Sequence, residues 1–316
     1  MQFQSKRDGV RWYHSSRIIP SVLALVLMAS LPLLVLSAAI AAPATAVLPG
    51  TEPLAPGTGG VGNWDGIISA EIERATAVRA QYWRRDFSSA ENYNRSIETN
   101  RARFAHIIGV RDARVPFEAP TLLATVDQPA LVGRGKSYDV LRVSWPVFGD
   151  VQAEGLLLEP RGRKPVAAVV AVPDCAQTPE QISGLTPGVA VESQFARRLA
   201  ESGCRVLVPV LIDRSVEVRG REGYRPYARQ PMSSREFLFR PAFELGRHLI
   251  GYEVQKILAA VDWFVRDNEH VGVMGYGEGG LLAFYAAALD TRIDAACVSG
   301  YFDSRQKLWS EPLVKT

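Results

Sequence analysis

The chain has 316 residues, 47% hydrophobic and 22% charged, with 26 Gly and 20 Pro. That is the composition of a globular protein with a sizeable core, and it excludes collagen-like, coiled-coil and disordered classes. The formal charge of +3 is concentrated at the start: residues 1–44 hold four of the 36 bases and one of the 33 acids, so the remainder carries 32 of each. A neutral body lacks the sustained basic field that nucleic acid or an anionic membrane surface would require.

Lys6, Arg7, Arg11 and Arg17 precede an apolar run over residues 18–42, followed by the small-residue triplets Ala39-Ile40-Ala41 and Ala42-Pro43-Ala44. This pattern predicts an export signal with A-x-A cleavage sites and hence a periplasmic or extracellular protein. The run also suffices for a membrane span of ~20 residues, so an uncleaved anchor at 18–42 is the alternative, although Pro20 and Pro32 would bend or break such a helix. Residues 1–44 are therefore read as signal or anchor and 45–64 as a Pro/Gly-rich linker. Residues 65–115 read as a helical region and 116–316 as the core. In the helical region, two helices are predicted. Ser88-Ser89-Ala90-Glu91 reads as a capping box opening the second, which places Tyr93, Ile97, Phe104 and Ile108 on one face.

Strands follow. Residues 137–147 and 151–158, joined by Phe148-Gly149-Asp150, predict a β-hairpin. The continuous apolar run 166–172 predicts a strand buried on both faces. Val191, Phe195 and Leu199 form a helical stripe ending at Gly203, and 205–212 predicts another buried strand. An excursion carrying Arg219, Arg221, Arg225 and Arg229 with Tyr224 and Tyr227 reads either as a cap over an acidic or sugar substrate or as a solvated loop. It leads into one long helix with Phe243, Ile250, Val254, Ile257, Val261 and Phe264 on its apolar face. Strand 271–274, helix 281–289 and strand 293–298 complete an α/β order that implies a mainly parallel sheet covered on both faces. Cys175, Cys204 and Cys297 lie at or beside these strands in no metal-binding spacing, and buried free thiols are expected.

The segment from Val271 to Leu281 passes from strand to helix through a glycine-rich turn with no intervening loop. As G-x-G-x-x-G it would use Gly275, Gly277 and Gly280, with Asp303 placed to contact a ribose, which describes an NAD-dependent enzyme. As a nucleophile elbow it would use Gly275 and Gly279 as the small residues of a sharp turn, with position 277 as the nucleophile. A plain structural turn is the third reading. Only 36 residues follow Gly280 and the strand–helix units lie upstream, which favours the elbow.

The stretch REFLFRPAFELGRHLIGYEVQKILAAVDWF, followed by VGVMGYGEGGLLAFYAAALDTRIDAACVSGYF, resembles the α/β-hydrolase superfamily, in particular its acetyl xylan esterase and dienelactone hydrolase-like branch, over roughly residues 130–310. The resemblance implies an α/β-hydrolase fold and hydrolysis of a small-molecule or carbohydrate ester by a Ser-His-Asp triad without a cofactor. The pattern is broken in two places. Position 277 is glycine, with no side chain to attack a carbonyl, and Glu278 cannot simply replace it, because Tyr276 would then stand where the turn needs a small residue. The triad order of the fold is nucleophile, acid, histidine, whereas His14, His106, His248 and His270 all precede the turn. The family histidine would lie beyond Thr316, and the chain is expected to lack the last strands of the fold. His248, on the long helix, and His270, before a strand, read as structural.

Asp303 stands where some hydrolases place the triad acid, or is a loop aspartate beside Arg305. The backbone N–H of Glu278 matches one oxyanion donor, and the loop Asp174-Cys175-Ala176 supplies the other through Cys175. These amides survive loss of the side chain. The expectation is an exported esterase relative without a working triad, with a non-catalytic binding protein as the alternative.

Overall fold

The computed structural model describes residues 64–212, 216–217, 232–267 and 270–303. The expected signal or anchor, the linker up to residue 63, His14, Arg305 and the excursion residues Arg219, Arg221, Tyr224, Arg225, Tyr227 and Arg229 lie outside them. The chain divides into two units, residues 1–73 and 74–316. Of the first, only the opening of helix α1 (Trp64–Val78) is described.

In the second unit the predicted second helix is two, α2 (Ala90–Ser96) and α3 (Glu98–Ile108), separated at Ile97. The cap is one residue later than expected: Ser89 Oγ accepts from Asn92 N at 3.0 Å, while Glu91 pairs with Arg95 one turn on. Helix α3 ends at Gly109, whose left-handed φ of 81° satisfies the last turn.

Strands β1 (Thr121–Leu122) and β2 (Leu131–Arg134) share one edge of the long strand β3 (Tyr138–Phe148), which forms the predicted hairpin with β4 (Val151–Pro160). Next come β5 (Ala168–Val172), the short helix α4 (Pro179–Ile182), α5 (Phe195–Glu201) and β6 (Arg205–Pro209). Beyond the short antiparallel pair β7 (Val216–Glu217) and β8 (Met232–Ser233) lie α6 (Ser234–Glu244), α7 (Leu249–Arg266), β9 (Val271–Tyr276), α8 (Glu278–Leu289) and β10 (Ala295–Ser299).

The main sheet runs β1-β3-β4-β6-β5-β9-β10, with β2 also on β3. It is mixed: the pairs up to β4·β6 are antiparallel, whereas β6·β5, β5·β9 and β9·β10 are parallel. Part of the antiparallel share comes from the hairpin, whose tight turn at Gly149 forces β3 and β4 to run oppositely. β5 makes the two faces plain, because successive side chains point to opposite sides. Ala168, Val170 and Val172 join α7 and α8 in one core, while Val169 and Ala171 join α4 and α5 in the other. Helices thus cover both faces, as expected.

The expected long helix is broken. Gly246, at φ 65°, ends α6 and turns the chain, and His248 then caps α7 with Nδ1 accepting from Ile250 N at 3.1 Å. His248 is therefore a cap between two helices, and Phe243, expected on the buried stripe, is exposed. β10 ends the sheet among the described residues, with Ala295, Ala296 and Cys297 exposed, so the thiol of Cys297 is not buried as expected while Cys175 and Cys204 are. Among the described residues no helix is long and apolar enough to cross a membrane.

Candidate active site

β9 lies inside the parallel half of the sheet, with Val172 of β5 opposite Gly275 on one side and Ser299 of β10 opposite Tyr276 on the other. At its C-terminal end the chain reverses through Gly277 alone and enters α8. Gly277 has φ 57° and ψ −122°, a combination that costs a residue with a Cβ on the order of 1–3 kcal/mol. Its N–H donates to Ser299 O at 2.9 Å. The turn is tight because α8 starts against the strand ends: a Cβ on Gly275 would lie 2.0 Å from Gly279 O, and one on Gly279 would lie 2.2 Å from Val172 O. Gly280 is the third residue of α8 and is buried. A sharp strand-to-helix turn on an internal parallel strand is the geometry of a nucleophile elbow.

The residue at the apex is the one without a side chain, and its space is taken from across the sheet. A Cβ built on Gly277 would meet Asp174 Oδ1 at 2.5 Å and Asp174 Cγ at 2.9 Å. Asp174 follows β5, and its Oδ1 accepts from Glu278 N at 2.8 Å. The backbone donor expected to face a ligand oxygen is thus held by an aspartate of the same chain. Asp174 is fixed in turn by Gln177, whose N–H donates to Asp174 O at 2.8 Å and whose Oε1 accepts from Asp174 N at 3.2 Å. Cys175 is buried in the same loop.

Sequence reasoning also left out Arg235, in the first turn of α6. Its Nη2 lies 2.5 Å from Glu278 Oε1 and its Nη1 donates to Ile212 O at 3.2 Å, with Arg235 buried and Glu278 partly so. The carboxylate of Glu278 therefore points to a guanidinium, and its negative charge is matched by a fixed positive one. Only the Ser233–Glu236 capping pattern marked this helix start, where Ser233 Oγ accepts from Glu236 N at 3.1 Å.

The histidines hold other posts. The edge of His248 meets the Phe239 ring at a centroid distance of 5.9 Å, and burial, with Arg235 adding to it, pushes its pKa down. His106 Nε2 lies 2.8 Å from Arg111 Nη2. His270, exposed, has Nδ1 3.5 Å from Asp294 Oδ2. Asp303 is exposed beyond β10.

Two adjoining hollows of about 290 and 440 Å³ lie at the opposite end of α8, lined in part by Glu98, Arg101, Leu289 and Asp290. Their arginines are committed: Arg114 to Asp262, Arg292 to Asp290 and Asp262, and Arg101 to Ala288 O. Burial works to raise the pKa of Asp290, but the hydrogen bonds from Arg292 outweigh it and hold that carboxyl below its usual range. Among the described residues no cluster of three His, Cys, Asp or Glu side chains is placed to hold a metal ion.

A central parallel strand, a single-residue reversal into a helix, the β4-β6-β5-β9 order and helices on both faces together define an α/β-hydrolase fold. Residues 154–308, just under half of the chain, match the model of the Dienelactone hydrolase family, which is consistent with the acetyl xylan esterase and dienelactone hydrolase-like branch of that superfamily.

None of the curated proteins matches the chain. Among solved structures it is similar to a protein of Bacteroides fragilis NCTC 9343 provisionally described as an acetyl xylan esterase. That similarity is 17% identical, covers 79% of this chain and 62% of that one, and has a TM-score of 0.50. A glucuronoyl esterase from Solibacter usitatus is 16% identical over 66% of this chain and 59% of its own, with a TM-score of 0.41. Acetyl xylan esterase 1 from Thermoanaerobacterium sp. JW/SL YS485 is 13% identical over 68% and 61%, with a TM-score of 0.40. The chain spans about three fifths of the length of each of these structures.

Proposed function

We propose that this is an exported, esterase-like α/β-hydrolase protein whose elbow does not turn over esters by the nucleophilic route. The observation that carries this reading is Gly277 at the apex, in the backbone conformation of an elbow. Acyl transfer through a covalent intermediate needs an oxygen or sulfur at that point and a base to take its proton. Glycine provides neither attacking atom nor proton.

Support for an ester-hydrolase lineage over a dinucleotide site comes from two features. A pyrophosphate would need the first amides of α8, and that of Glu278 is bonded to a carboxylate of the chain itself. The match to the Dienelactone hydrolase family also runs through the turn. The description of the Bacteroides protein gives acetylated carbohydrate as the ligand class to test. Export rests on residues 1–44, with cleavage expected after Ala41 or Ala44; sequencing the N-terminus of the exported chain reads it directly.

For activity, the full chain should hydrolyse p-nitrophenyl acetate no faster than buffer. Saturable hydrolysis above that background, lost on Glu278→Ala, would overturn the reading.

A further inference from the structure

Asp174 and Gly277 face one another across the mouth of the elbow, and each makes room for the other. We propose that Asp174 is a built-in occupant of the oxyanion position, a tethered carboxylate that keeps the elbow closed to carbonyl and carboxylate ligands. The inference rests on the reading of residue 277 as the nucleophile position.

Three observations carry it. Asp174 Oδ1 takes the Glu278 N–H at 2.8 Å, the donor that an elbow offers to the developing oxyanion. The same oxygen would lie 2.5 Å from a Cβ at 277, so it fills the volume of the missing side chain. The third is the charge balance: Arg235 neutralises the neighbouring Glu278 carboxylate at 2.5 Å, leaving the start of a 12-residue helix to receive the Asp174 charge. A carboxylate at a helix N-terminus makes a short, charge-assisted hydrogen bond. Because Gln177 anchors the backbone of Asp174, the competitor is intramolecular, with an effective concentration of millimolar or above for a short tether. A free ligand oxygen must displace it.

The test titrates the nitrogen-15-labelled full chain with sodium acetate and follows the Glu278 amide. In Asp174→Ala the resonance should move saturably, with acetate bound at least about tenfold tighter than by the wild-type chain. Absence of a saturable shift in a folded Asp174→Ala chain, or an equal response in the wild type, would overturn the proposal. Should Asp174→Ala not fold, Asp174→Ser keeps a small polar side chain that lacks the Oδ1 acceptor, and the same two outcomes judge it.

A double-mutant cycle gives a second reading. Gly277→Ser should lower Tm more in the wild-type background than beside Asp174→Ala, and equal losses would count against the contact. Ester turnover by the wild-type chain would remove the functional reading above, while the amide shift would still decide the occupancy of the donor.

Discussion

His248 shows how one side chain can record the break between two helices. Its Nδ1 accepts a hydrogen bond from Ile250 N, a role open only to the unprotonated nitrogen, and burial beside Arg235 depresses its pKa. The folded state therefore favours the neutral ring. Its contribution to stability is full above the unfolded histidine pKa of about 6.5 and is lost as pH falls below that value. His248→Asn retains a capping acceptor without a titrating ring, so its Tm should fall less than that of the wild type between pH 7 and 5.

At this scale the sequence told unevenly. Gly275, Gly277 and Gly279 were readable because a tight turn admits few residue types. Asp174 was not, since its meaning depends on a partner 104 residues away in the chain. No local pattern marks a carboxylate that fills a vacancy made by a distant glycine.

Elements were legible where a periodic pattern was long and its ends were marked. The hairpin and β9 follow the apolar alternation or run that predicted them, and the strand ends moved by only a few residues. The α6/α7 break was missed because the apolar stripe continues in number across it, while Gly246 alone turns the backbone. The joint between β3 and α7 rests on Trp145, fully buried, whose Nε1 donates to Lys256 O at 3.2 Å. Trp145→Phe would leave a void and remove that hydrogen bond, with an expected loss of about 2 kcal/mol in denaturant unfolding. A second close joint is set by glycine: a Cβ on Gly251 of α7 would meet Ile108 O of α3 at 2.3 Å. That contact between backbones ties the helical region to the sheet, and nothing in the composition of either helix announces it.

For the molecule as a whole, the distribution of thiols is a compact measure of the fold. Cys175 and Cys204 are buried, and burial, against the pull of Arg163, pushes the Cys204 thiol up, which keeps it protonated and slow to react. Cys297 stands exposed on β10. With 5,5′-dithiobis-(2-nitrobenzoic acid), one of the three thiols should react promptly in the native protein and all three in guanidinium; two or more prompt equivalents would contradict the burial of Cys175 and Cys204.

That order also sets a timetable for synthesis. All five residues of β5 are buried, and its flanks are β6, made shortly afterwards, and β9, where Ala168 meets Val271. While the ribosome adds α6 and α7, a nascent chain carries β5 with one flank bare and apolar. That flank stays open to non-native pairing until Val271 emerges to close it.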